Sequence, residues 1–155
     1  MKILLQLLFS VFLSFLTFPC FAQSFDGYVL YNKQSQNTVY LIDKDANIAK
    51  TWSCSDAGNY TVWLRDNGNI VRGARYSGNI LQGAAIGGKV QEVGPNGSTV
   101  WEFVYSASTY CSHHDICLMP NGNVLLTAWE VKTTAELTQA GYSNAMFEKW
   151  PTHIV

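Results

Sequence analysis

Residues 112 to 128 read SHHDICLMPNGNVLLTA, and residues 58 to 74 read GNYTVWLRDNGNIVRGA. The two stretches are copies at an offset of 54: Leu64, Asn67, Gly68, Asn69 and Ala74 recur as Leu118, Asn121, Gly122, Asn123 and Ala128. Val62, Ile70 and Val71 recur as Ile116, Val124 and Leu125. Each copy is an apolar run, an Asn-Gly pair and a second apolar run. Asn and Gly tolerate the positive φ of a tight turn between antiparallel strands, so each copy is expected to be a β-hairpin. The copies differ near their start, where Asn59, Tyr60 and Thr61 become His113, His114 and Asp115. A shared frame with two imidazoles and a carboxylate in one copy alone points to a site built on that copy.

A second pattern alternates with the first. VYLIDKDANIAKTW (39 to 52) and VQEVGPNGSTVWEF (90 to 103) each run strand, turn, strand, with a tryptophan in the second strand. Trp52 and Trp101 lie 49 apart. Four strands per unit of about 50 residues is the signature of a β-propeller blade. No stretch keeps apolar residues at helical spacing for four turns, and Gly, Asn and Thr interrupt throughout. From Trp129 to Pro151 the pattern lapses into TTAELTQAGYSNAMFEKW, a polar loop or a short helix. The closing THIV occupies the place of VQEV in the second unit. The expected fold is all-β, about two and a half four-stranded blades. Open blades leave strand edges unpaired. The chain is therefore expected to be the amino-terminal portion of a longer protein, or to assemble with copies of itself.

The first 22 residues stand outside this scheme. Lys2, the apolar run Ile3 to Phe18 and the small-x-small exit Cys20-Phe21-Ala22 read as a secretory signal peptide cut after Ala22. Residues 23–155 then form the partial propeller, secreted or periplasmic, with no membrane attachment once the signal is removed. That portion carries nine basic and eleven acidic residues, a net charge of about −2. With no basic run and no positive excess, a nucleic-acid partner is excluded.

Three cysteines remain after cleavage: Cys54, Cys111 and Cys117. An odd number in an exported protein implies one bridge and one spare thiol, or an intermolecular bond. Cys111 and Cys117 are about 20 Å apart on one extended strand, too far to bridge. Cys54 and Cys111 both lie on connections leading into equivalent hairpins. The expected pairing is Cys54–Cys111, with Cys117 buried as a small apolar residue.

The segment HHDICLMPNGNVLL, with GYVLYNKQSQNTVYLIDKDANIAKTW ahead of it and GGKVQEVGPNGSTVWEF between, resembles the arylsulfotransferase family of secreted bacterial propellers. The resemblance covers essentially all of residues 23–155 and implies a six-bladed propeller. It also implies transfer of a sulfuryl group from a phenolic sulfate to another phenol, with no nucleotide donor and no cofactor. In the family the reaction passes through a sulfated histidine, with further histidines, an asparagine and an arginine around the sulfate. That nucleophile lies on a later blade and has no match in these 155 residues. The arginine of a comparable family hairpin has no equivalent beside Trp129 either. The resemblance therefore assigns catalytic-pocket roles to His113 and His114 and a substrate-binding role to Asp115.

The chemistry suits those residue types. Sulfuryl transfer needs charge stabilised on the equatorial oxygens and a proton removed from the acceptor hydroxyl. A histidine near neutral pKa serves as base toward a phenol or as nucleophile toward sulfur. Strand alternation places His113 and Asp115 on one face and His114, Ile116 and Leu118 on the other. His113, with Asp115 holding its imidazole, is thus expected to face the channel. Adjacent histidines on opposite faces do not close a metal site, and no spaced second pair exists, so no metal is expected. His153 is expected to be structural, Tyr60 to lie in the core or at the rim, and Arg72 and Arg75 to be solvent-exposed. Trp63, Trp101 and Trp129 are expected to pack between blades. A second reading uses the same channel to bind a small anion or glycan without turnover.

Overall fold

The computed structural model describes residues 25–155; the segment read as a signal peptide lies outside them. The chain is all-β, with three antiparallel sheets in sequence order. The first holds β1 (Val29–Asn32), β2 (Thr38–Ile42) and β3 (Ile48–Ser53). The second holds β4 (Gly58–Leu64), β5 (Ile70–Arg75), β6 (Gly88–Val93) and β7 (Thr99–Val104). The third is β8 (Tyr110–Leu118), β9 (Val124–Glu130) and β10 (Thr152–Ile154). Every neighbour in a sheet is also the next strand in the chain. Strands β1, β4 and β8 lie beside one another, so the sheets meet along their leading edges.

Four turns share one chemistry. Gly68, Gly97 and Gly122 adopt φ of 82°, 87° and 88°. Their amides donate to Arg65, Gly94 and Met119 carbonyls at 2.9 to 3.0 Å. The preceding asparagine does not take positive φ as expected. Its side chain instead accepts from the amide two residues on, as Asn67 does from Asn69 and Asn121 from Asn123, both at 3.0 Å. The fourth turn, Asp43 to Asn47, has Ala46 in the glycine's place at φ 64°.

Pairing fixes how the copies correspond. Leu64↔Ile70 matches Leu118↔Val124, confirming the offset of 54. Between β2–β3 and β6–β7 the offset is 51, because Val39↔Trp52 matches Val90↔Phe103. Trp52 therefore corresponds to Phe103, and the spacing of 49 to Trp101 is a two-residue slip. On the third strands Ala74↔Lys89 matches Ala128↔His153. THIV thus runs where the start of β6 runs. Between β9 and β10 a short helix, α1 (Thr134–Gln139), is capped by Thr133 and Glu136. Each one's side chain bonds the other's backbone amide, at 3.3 and 2.8 Å.

The core is divided into clusters between and beneath the sheets. One gathers Val39, Trp52, Cys54, Ile70 and Val93. Another gathers Val71, Val90, Ile116, Leu126 and Ala128. A third gathers Leu81, Ile86 and Cys111. This division overturns the expected disulfide: Cys54 and Cys111 are both free, each buried in a different cluster. Cys117 is not buried either, but exposed near the end of β8.

Arg72 departs furthest from expectation. Far from being solvent-exposed, it is fully buried on β5, donating to the Asp56 carbonyl and, at 3.3 Å, to Asn32 Oδ1. Beside it Gln91 and Lys89 both bind Asp56 Oδ2, at 2.8 and 2.9 Å. These contacts tie the β3–β4 connection to the middle of the second sheet. Arg75, at the end of the same strand, is exposed as expected.

Candidate functional site

The site begins with a fault in a ladder. On β8, His113 pairs Thr127 and Ile116 pairs Leu126, so three steps on one strand match one step on the other. The same fault occurs on β4, where Gly58 pairs Ala74 and Val62 pairs Arg72. Such a bulge bends its strand and re-aims side chains. It therefore belongs to the repeated frame, and the histidines occupy it in one copy. His114 takes φ 49° within it, a left-handed conformation that costs a non-glycine residue about 1–2 kcal/mol.

The bulge cancels the expected alternation. His113 and Asp115 do not share a face with a carboxylate holding an imidazole. Instead the two imidazoles turn toward each other, with Nδ1 to Nδ1 at 2.7 Å and ring planes 87° apart. Asp115 accepts from the Thr61 hydroxyl of the first copy and, at 2.8 Å, from the Ile116 amide. Equivalent residues of the two copies thus meet across the sheets, as Thr61 meets Asp115 and the Tyr60 ring stacks on His114 at 6.0 Å.

His113 is the buried member, 7% exposed. Its ring stacks on Trp129 at 4.4 Å, and Nε2 lies 3.2 Å from Thr152 Oγ1 on β10. Burial, then the neighbouring His114 and His153, pushes its pKa down to about 4. His113 is therefore neutral at pH 7. Thr127 Oγ1 donates to the His113 carbonyl at 2.5 Å and receives the Asp115 amide at 3.3 Å, clasping the bulge from the opposite strand.

His114 is the exposed member. Its amide donates to the Ala85 carbonyl at 3.0 Å, which fixes the backbone. If His113 Nε2–H donates to Thr152, His113 Nδ1 must accept from His114 Nδ1–H. His114 Nε2 then keeps a free lone pair, with no hydrogen bond to any described residue. In that tautomer the unpaired ring nitrogen is on His114, and the bond from His113 fixes its ring.

Other expected residues fall around this pair. Tyr60 is at the rim, half exposed, its hydroxyl 2.9 Å from Gln34 Oε1. His153 has its Nε2 3.3 Å from the Tyr105 hydroxyl and is close enough to His113 to repel a second charge. Trp63 ties the second sheet to the third, its Nε1 donating to the Ile116 carbonyl at 3.1 Å. Trp101 is exposed. Sequence reasoning gave no role to Thr127, which lies inside the repeated segment, or to Thr152, which opens the closing THIV. Among the described residues, no group of three or more His, Cys, Asp or Glu is gathered to hold a metal. The adjoining concavity, about 190 Å³, is lined by Asp115, Ile116, Cys117, Leu125 and Thr127. It gives a small ligand an apolar wall with one carboxylate at its edge. No family model and no curated protein matches the chain.

Proposed function

We propose that this chain is part of an exported β-propeller of the arylsulfotransferase kind, moving a sulfuryl group from a phenolic sulfate to a phenol. The blade reading is supported by three consecutive meanders that meet along β1, β4 and β8. The observation that carries the chemistry is the His113–His114 couple, Nδ1 to Nδ1 at 2.7 Å, on a bulge where His114 is left-handed and exposed.

In this reading His114 Nε2 takes the proton of the acceptor phenol as its oxygen bonds sulfur. The bond from sulfur to the donor oxygen breaks, and the donor phenolate leaves with the electron pair. The imidazolium formed on His114 is stabilised by His113, which accepts from Nδ1–H. Because His113 stays neutral, the developing charge meets an acceptor and not a second cation. No cofactor takes part, and export would follow from residues 1–22.

The test is p-nitrophenyl sulfate with phenol as acceptor, on the full chain and on His114→Ala and His113→Ala. Nitrophenol release should require phenol and fall at least a hundredfold in His114→Ala, within the usual range for a lost general base. Undiminished release in His114→Ala, or none from folded protein, would overturn the proposal. Saturable sulfate binding without turnover would favour a propeller that only binds a small anion or glycan.

A further inference from the structure

The segment that leads into β6 crosses to β8 and meets both histidines. Ile86 bridges His113, and the Gly87 and Gly88 amides donate to the Ser112 carbonyl and Oγ at 3.0 and 2.9 Å. Just before them the Ala85 carbonyl accepts from the His114 amide at 3.0 Å. Ala85 is buried and takes φ 56°, so two left-handed residues, Ala85 and His114, face each other through that bond. A residue with a Cβ keeps such a conformation only where its surroundings impose it. The first copy has the bulge without this arrangement. Tyr60, the counterpart of His114, is not left-handed, and among the described residues no connecting segment's carbonyl takes its amide. Farther back, Gly83 abuts Trp129. A Cβ on Gly83 would come within 2.5 Å of the indole Cη2, and that ring is already stacked on His113 at 4.4 Å and set against Trp150 at 5.7 Å. Leu81 and Ile86, both buried with Cys111, anchor the segment on either side.

We infer that Gly83 and Ala85 are positioning residues for the histidine couple, and that residues 83–88 clamp it from outside the β8–β9 hairpin. Ala85 holds the left-handed backbone that turns His114 toward His113. Gly83 leaves the room that lets Trp129 lie flat on His113. The catalytic consequence rests on the sulfuryl-transfer reading; the effect on the two imidazoles does not.

Proton–nitrogen NMR correlation spectra of the full chain report the protonation and tautomer of each imidazole. In the unaltered chain His113 should titrate at about pH 4. Gly83→Ala displaces Trp129 and admits water to His113. It should move that midpoint up by roughly one pH unit and lower kcat for p-nitrophenyl sulfate roughly tenfold with KM little changed. Ala85→Val, whose branched side chain does not suit a left-handed site, should uncouple the tautomers of the two rings. Ala85→Gly, which keeps the carbonyl and suits φ 56°, should rescue both readouts. Circular dichroism checks folding, and if Ala85→Val does not fold, Gly83→Ala decides alone. An unchanged His113 titration in folded Gly83→Ala would overturn the inference, as would folded Ala85→Val with the couple's tautomers intact. A shifted titration in a chain without turnover would support the clamp and count against sulfuryl transfer alone.

Discussion

His113 and His114 bring their Nδ1 atoms to 2.7 Å although they are neighbours in sequence. A regular strand would send them to opposite faces. The bulge, with His114 at φ 49°, makes the pair possible, and Thr127 holds it shut. Two consequences follow: one imidazole is buried without charge, and the other is presented to solvent with its orientation fixed.

The buried imidazole makes stability depend on pH. An unfolded histidine titrates near 6.5, whereas folded His113 does so at about 4. Between those values the unfolded chain binds more protons, so stability is full above about pH 6.5 and is lost as pH falls toward 4. The loss should be at most about 3 kcal/mol. Glu102, lowered by hydrogen bonds from Lys89 and Gln91, titrates below the ordinary carboxylate range. Asp56 does too: desolvation would raise it, but hydrogen bonds from Ser55, Lys89 and Gln91 outweigh that. The contribution of these two carboxylates is lost only as pH falls below about 4.5, under the window in which His113 acts. Urea unfolding at several pH values should show the slope, and His113→Asn, copying Asn59, should flatten it. An unchanged slope in the variant would remove His113 as the cause.

The turn residues should respond unequally to substitution. A Cβ at Gly122 would meet nothing within 4 Å, so Gly122→Ala should cost about 1 kcal/mol, the left-handed penalty. At Gly97 the Cβ would run into the Ser53 carbonyl as well, and the loss should be clearly larger. The converse applies at Ala46, whose φ of 64° suits glycine. Ala46→Gly should raise stability by up to about 1 kcal/mol, the strain relieved exceeding the added chain entropy. Denaturation midpoints decide all three.

Arg72 should be costly to truncate. It is fully buried, and Arg72→Ala removes two charge-assisted hydrogen bonds and leaves a cavity. A loss of about 3 kcal/mol is expected. Arg72→Leu, copying Leu126, should cost less because it keeps apolar packing. Equal losses would mean that the hydrogen bonds, and not the volume, hold this layer.

The cysteines should separate cleanly in a thiol-reactivity assay. Cys117 is exposed and should label at once in folded protein. Cys54 and Cys111 are buried, and burial raises both thiol pKa values, so both should label only on unfolding. A Cys54–Cys111 peptide in a non-reduced digest would contradict the structure.

The frame was legible in the sequence because its signals are local. Each Asn-Gly or Gly-Pro-Asn-Gly turn sets its own hydrogen bonds within five residues, and two copies at an offset of 54 expose the unit. Even the buried position of Arg72 was written in the repeat, since its counterpart is Leu126. What only the tertiary structure decided was which groups meet. The bulge that turns His113 toward His114 is a property of pairing between β8 and β9, and periodicity along one strand cannot show it. The separation of Cys54 from Cys111, the clasp by Thr127 and the contact with Thr152 all depend on how strands distant in sequence stack. Local backbone preference chose the turns and strands; packing between the sheets chose the neighbours, and with them the buried charges and the exposed imidazole.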